Sequence, residues 1–315
     1  MGAKNAEGRA VHTVGVTRRF GSLLAVDSID LDVQRQEIFA LVGPDGAGKT
    51  TFIRLLCGVL APDSGTAEVV GWDVVGNPEA VKLRIGYMPQ RFSLYGDLSV
   101  IENLALYAGI YRVPDAQFRE RAASLLSDFQ LAGVPQRLAA QLSGGMKQKL
   151  ALACTLIHTP ELLFLDEPTT GVDPVSRRQF WRILYGLNRT GITVFVSTPY
   201  LDEAERASRV GLMDHGRLIA CDDPGSLKAT MQGELLEVIA EPRTTAREVL
   251  REHPLVRSLE VFGDRLHALV PSAEVALPQV REALTAHGAQ VLGIRRIAPS
   301  LEDVFVSQIM GQQDR

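Results

Sequence analysis

The chain has 315 residues, 46% hydrophobic and 22% charged, with a formal net charge of −4. That is room for one large domain and a smaller one, and the acidic balance argues against a nucleic-acid partner, whose phosphate backbone calls for a basic face. No apolar run reaches the roughly 18 residues of a membrane span, and Cys57, Cys154 and Cys221 have neither Cys-x-x-Cys nor zinc spacing, so they read as small buried or half-buried residues of a reducing cytosol.

Met1 to Thr13 is polar and Gly/Ala-rich with no apolar core. Residues 1–10 are therefore expected to be a disordered lead, not a signal peptide, with the main domain running over 11–222. Glu37 to Val42 is a short apolar run ending in glycine. Leu162 to Leu165 is a second, ending in Asp166, and Ile192 to Val196 a third, ending in Ser197. Runs apolar at every position suit strands buried on both faces of a mainly parallel sheet, and the helix-compatible stretches between them give an α/β core.

After the first run comes Gly43-Pro44-Asp45-Gly46-Ala47-Gly48-Lys49-Thr50, which fits the P-loop pattern G-x-x-x-x-G-K-[ST] in its proper context of strand before and helix after. Glycines let successive N–H groups turn inward as an anion nest. The helix starting near Lys49 adds its positive end. Lys49 brings a point charge to the outer phosphates, and Thr50 a hydroxyl for Mg²⁺.

From about 77 to 156 the strand signal is weak. Ile101, Leu104, Ala105 and Ala108 share one helical face, as do Met146, Leu150, Ala153 or Cys154, and Ile157, which predicts a mostly helical insertion. Within it, Ser143 is a good N-cap ahead of Gly144 and Gly145, whose lack of side chains permits close approach. This is either a flexible helix start or a second anion site for a phosphate presented by another subunit.

Asp166 and Glu167 close the second strand, where ligands of open α/β sheets sit. Asp166 would help hold Mg²⁺ and Glu167 would polarise the attacking water. Two adjacent carboxylates can also cap a helix, and the P-loop upstream decides for the chemical reading. Composition shifts at Asp222 to Gly225. Beyond it, Leu235 to Ala240 reads as a strand and Thr245 to His253 as a helix. Val256 to Val270 reads as a hairpin about Gly263-Asp264, Pro278 to His287 as a helix and Gln290 to Ile297 as a strand. This βαββαβ order predicts a small α+β domain over 223–315, ferredoxin-like or related. An amphipathic piece, Leu301 to Met310, follows.

Taken together, Gly43 to Thr51, Gln90, Leu142 to Gly145, Leu162 to Glu167 and Gly171 to Asp173 resemble the nucleotide-binding domain of ABC transporters, a P-loop NTPase fold, over about Val11 to Asp222. The resemblance implies ATP and Mg²⁺ as ligands. It implies that Phe20 stacks on adenine, although Phe20 also fits a core position. It makes Gln90 the loop glutamine that senses Mg²⁺ and water and links to the membrane subunit. Ser143, Gly144 and Gly145 then match the signature that meets the γ-phosphate held by a second ATPase domain, and Asp173 the aspartate at the dimer seam. The tail Pro299 to Phe305 is similar to the C-terminal extension of ABC-2 drug-resistance exporters. The P-loop and the Leu142 to Lys149 segment resemble the N-terminal ATPase half of YbhF-like exporters. The implied setting is the cytoplasmic face of a membrane, bound to integral permease subunits, and Arg91 to Tyr107 is the candidate docking surface as well as core.

One position departs from that pattern. In Ser197-Thr198-Pro199-Tyr200, Pro199 stands where the family has a histidine that bonds the γ-phosphate. Proline offers neither a side-chain donor nor an N–H, so this chain's own site is expected to bind nucleotide and turn over slowly. Its signature would then complete a site on a different ATPase subunit, in a heterodimer; the rival is a homodimer in which Glu167 alone suffices. His158 and His215 are expected to be structural or surface residues. The alternatives are a soluble ABC-class ATPase acting on DNA or ribosomes, and an ATP-binding regulatory subunit with little turnover. The absence of long coiled-coil insertions and of a second ATPase half argues against the first.

Overall fold

The computed structural model describes residues 8–91 and 94–313. The chain divides into two compact units, Met1–Cys221 and Asp222–Arg315. The expected lead at residues 1–7, and Phe92 and Ser93 of the candidate docking surface, lie outside the described residues.

In the first unit β1 (Arg9–Phe20) and β2 (Leu23–Gln34) form an antiparallel hairpin. Arg9 and Ala10, read as lead, thus belong to a strand. β2 alternates between buried and exposed positions over Ile29–Gln34 as a half-buried strand should, but it is too polar to stand out in the sequence. β3 (Ile38–Val42), buried throughout, passes through the glycine loop into α1 (Lys49–Leu56). β4 (Ser64–Val69) and β5 (Trp72–Asp73) complete an antiparallel sheet in the order β2-β1-β4-β5.

Next come α2 (Pro78–Lys82), β6 (Ile85–Met88), α3 (Val100–Ile110), α4 (Asp115–Asp128) and α5 (Gly144–Leu156). Then follow β7 (Leu162–Asp166), α6 (Pro174–Arg189), β8 (Thr193–Thr198), α7 (Leu201–Ala204), β9 (Arg209–Asp214) and β10 (Arg217–Asp222). The central sheet runs β10-β9-β3-β8-β7-β6, and its pairs from β9 to β6 are parallel.

The stretch 77–156 is therefore not purely helical, because β6 extends the sheet beside β7. β6 is short and carries Gly86, where a Cβ would strike the Thr155 carbonyl and a Leu163 methyl at 2.7 Å. A glycine demanded by close packing erases the apolar run that marks the other strands. On α3 the buried face is Val100, Asn103, Leu104 and Ala108, and Ala105 is exposed. Asn103 takes its place because its amide donates to the carbonyls of Tyr95, Leu98 and Ser99.

α1 is the element that both sheets position. Phe52, Ile53, Leu55 and Leu56 are buried in one core with Val26, Ile29 and Leu31 of β2 and with Leu162, Phe164 and Phe195 of the central sheet. Close packing on both sides leaves the start of α1, and the loop before it, a single position.

In the second unit α8 (Pro224–Ala229) precedes β11 (Glu234–Glu241), α9 (Arg243–Glu252), β12 (Ser258–Phe262), β13 (Arg265–Val270), α10 (Ala273–Ala286), β14 (Gln290–Ile297) and α11 (Leu301–Gln313). The sheet runs β12-β13-β11-β14, all pairs antiparallel, the arrangement of a ferredoxin-like βαββαβ fold. Leu236, Val238, Leu266 and Ala268 form its core with Ala246 and Leu250 of α9 and Val280 and Leu284 of α10. Pro278 stands inside α10, not at its start.

Candidate functional site

The glycine loop lies at the carboxyl end of β3, where the parallel sheet opens. Two of its glycines are dictated by space. A Cβ on Gly43 would overlap the Met213 carbonyl, and one on Gly48 the Ala25 carbonyl; Gly48 also has a φ of 102°, in the left-handed region. Lys49 is 3% exposed and its Nζ donates to the carbonyls of Gly43 (2.8 Å) and Pro44 (3.0 Å). Ala47 is buried beneath the loop, and its carbonyl accepts the Gly216 N–H at 2.9 Å.

β7 brings the two acids to the same place. Asp166 Oδ1 accepts from Thr50 Oγ1 (3.0 Å) and from Ser197 Oγ (2.8 Å), while its Oδ2 is buried with no hydrogen-bond partner. Burial pushes this carboxyl upward, and the two hydroxyls pull against that shift. Glu167 has a φ of 48°, and Ser197 accepts its N–H on both O (3.1 Å) and Oγ (3.0 Å). Its carboxylate lies 3.3 Å from Lys49 Nζ and accepts from Gln90 Nε2 at 2.9 Å.

Lys49, Gln90 and Glu167 line a cavity of about 490 Å³ with Phe20, Leu23, Ala25, Asp45, Gly46, Gly48, Thr50, Thr51, His215 and Gly216, and Asp166 reaches it through its bond to Thr50. Phe20 is 44% exposed at the hairpin turn, so it is a rim residue and not a core one. His215, expected to be a structural or surface residue, is an exposed residue at this rim: the turn between β9 and β10 brings it there, with Nδ1 2.8 Å from Asp214 Oδ2. His158 is elsewhere, stacked on Tyr111 at 3.6 Å with Nε2 against the Ile85 carbonyl.

Ser143, Gly144 and Gly145 do not join this cavity. They line another, of about 470 Å³, with Gly171, Val172, Asp173 and Ser176, and the two cavities share no residue. Ser143 caps α5 by accepting the Met146 N–H (3.4 Å). Asp173 caps α6 by accepting the N–H groups of Val175 and Ser176 (3.0 Å each), and its hydrogen bonds to Ser176 hold its carboxyl below the usual range. Pro199, at the end of β8, lines neither cavity. Ser197 escaped the sequence reading, because nothing local marks a serine at a strand end as the brace between two acids on the next strand.

A glycine nest at a helix start, a buried lysine and a strand-end Asp-Glu pair define a nucleotide-binding cassette of the P-loop class. A family model described as ABC transporter matches residues 26–170. The chain is 40% identical over 302 residues to the "Probable multidrug ABC transporter ATP-binding protein YbhF" of Escherichia coli (strain K12), covering 94% of this chain but 51% of that protein. It thus spans about half the length of that relative. It is 38% identical over 307 residues to the "Daunorubicin resistance ATP-binding protein DrrA2" of Streptomyces coeruleorubidus, covering 95% of each. A solved dimeric ATP-binding cassette in a post-hydrolysis state, bound to ADP and Pi, superposes with a TM-score of 0.62 at 25% identity, over 68% of this chain and 98% of that one. The chain belongs to the family of ABC transporter ATP-binding proteins.

Proposed function

We propose that the chain is the ATPase that powers an exporter, working at the cytoplasmic face of a membrane against separate permease subunits and pairing with a second ATPase domain. The observation that carries this is the convergence of Lys49, Thr50, Gln90, Asp166 and Glu167 on the glycine nest. Among the described residues no helix is long and apolar enough to cross a membrane. The drug-resistance names of the relatives support export over a DNA- or ribosome-directed role.

The nest N–H groups and Lys49 bind the β- and γ-phosphates, and Phe20 stacks on the base. The unpartnered Asp166 Oδ2, the Thr50 hydroxyl and the Gln90 amide oxygen suit Mg²⁺, which takes one or two protein carboxylates and completes its shell with phosphate and water. When bound, Mg²⁺ neutralises phosphate charge. Glu167 takes a proton from the attacking water as the bond from the γ-phosphorus to the bridging oxygen breaks. Gln90, already bonded to Glu167, orients that carboxylate and the water.

Because the Ser143 cavity is separate from the nucleotide cavity, it suits the γ-phosphate of a partner domain, with Asp173 at the seam. Tyr95, 56% exposed, is the most accessible described aromatic of the Arg91 to Tyr107 surface offered to the permease, while Leu104 of the same segment is core. Pro199 leaves the γ-phosphate without one side-chain donor, which favours slow turnover at this chain's own site.

Titration of a fluorescent ATP analogue tests the reading. Lys49→Ala removes a charge-assisted contact of roughly 1.5–3 kcal/mol and should weaken binding by about 10- to 100-fold. Unchanged affinity would end the proposal.

A further inference from the structure

A third carboxylate is buried beside Asp166 and Glu167 without belonging to their site. Glu203, on α7 just beyond Pro199, is 2% exposed. Its Oε2 accepts from two buried hydroxyls, Thr169 Oγ1 at 2.7 Å and Thr198 Oγ1 at 3.1 Å. Its Oε1 is buried with no hydrogen bond, and Arg177 Nη1 stands 3.6 Å away. The Arg177 guanidinium lies over the Tyr200 ring at 4.9 Å. Burying a carboxylate with one oxygen held by no hydrogen bond and only a long ion pair opposes folding, and packing alone would be better served by an apolar side chain.

The partners of Glu203 come from three different places. Thr169 follows the Asp166-Glu167 pair, and its carbonyl holds the Val172 N–H at 3.2 Å on the way to Asp173. Thr198 follows Ser197, the brace of both acids. Arg177 is on α6, where its N–H bonds the Asp173 carbonyl (2.9 Å) beside the Ser143 cavity. One side chain therefore ties the nucleotide cavity to the segment that faces the second cavity. Pro199 offers no side-chain link of its own, so a connection through this segment must use its neighbours.

We propose that Glu203 is a positioning residue for hydrolysis. It is the knot through which occupancy of the nucleotide cavity shifts the 169–177 segment, with Arg177 closing its gap onto Oε1 as the segment moves. This rests on the nucleotide-site reading above.

Hydrogen exchange with and without Mg-ATP tests it on the full chain, in peptides covering residues 43–51 and 171–177. In the wild type, ATP should slow exchange in both. Glu203→Ala should keep the slowing at 43–51 and lose it at 171–177. Thr169→Val, which cuts the same knot from the other side, should lose part of it. Glu203→Gln, whose amide oxygen still accepts from both threonines, should restore part of it. Equal slowing at 171–177 in wild type and Glu203→Ala overturns the proposal. So does a wild type with no ATP response at 171–177. So does a Glu203→Ala chain that loses both responses while Thr169→Val keeps both, the pattern of a merely structural residue. A wild type with no response at 43–51 is a different failure, that of the nucleotide site itself.

Discussion

Glu167 has its carboxylate between Lys49 and Gln90 and its backbone pinned to Ser197, so its position is fixed before any water arrives. Glu167→Gln keeps that shape and removes the base. In steady-state assays kcat should fall about 100- to 10,000-fold with nucleotide affinity nearly unchanged. Pro199→His restores an aimed donor. Such a donor is worth up to roughly 100- to 1,000-fold in rate, and the measured gain in ATPase tells how far proline limits this chain. His215→Ala should weaken ATP binding a few-fold, read by the same fluorescence titration, because the imidazole borders the cavity beside Phe20. The P-loop and the two acids were legible because their chemistry sits in contiguous residues. Ser197, Glu203 and His215 were not, since each reaches its partners across strands or turns whose spacing no local pattern encodes.

Between elements, His158 joins α3 to the edge of the central sheet, stacked on the Tyr111 ring and bonded to the start of β6. Burial holds its imidazole below the usual value of about 6.5, and Arg121 pushes in the same direction. The folded chain therefore keeps it neutral, while the unfolded chain takes up the proton first as pH falls. Its share of stability is whole above that ordinary value and drains as pH drops toward the depressed one. Melting curves should show a lower midpoint at pH 5.5 than at pH 7.5, and His158→Gln should flatten part of that slope. β3, β7 and β8 could be read from composition because burial on both faces demands apolar residues throughout. β1, β2 and β4 could not: one face of each is polar, and the register shifts between β1 and β2 break the alternation that would have revealed them.

At the scale of the molecule, the two units have separate cores. A chain ending at Cys221 should bind ATP with the affinity of the full protein, and Asp222–Arg315 should melt cooperatively by itself, both measurable by calorimetry. The βαββαβ order of the second unit was readable because its hairpin turns on Gly263-Asp264, and its elements are short and cleanly punctuated. The separateness of the two cavities in the first unit reaches further than either unit. A chain crippled at Lys49 still presents a sound Ser143 face, and a chain blocked at Ser143 still carries a sound nest. If the chain pairs with itself, mixing two such silent preparations should regain activity, since each mixed pair assembles one good centre from two bad copies. If mixing regains nothing, although each silent preparation alone still folds, the face that Ser143 serves belongs to a different protein.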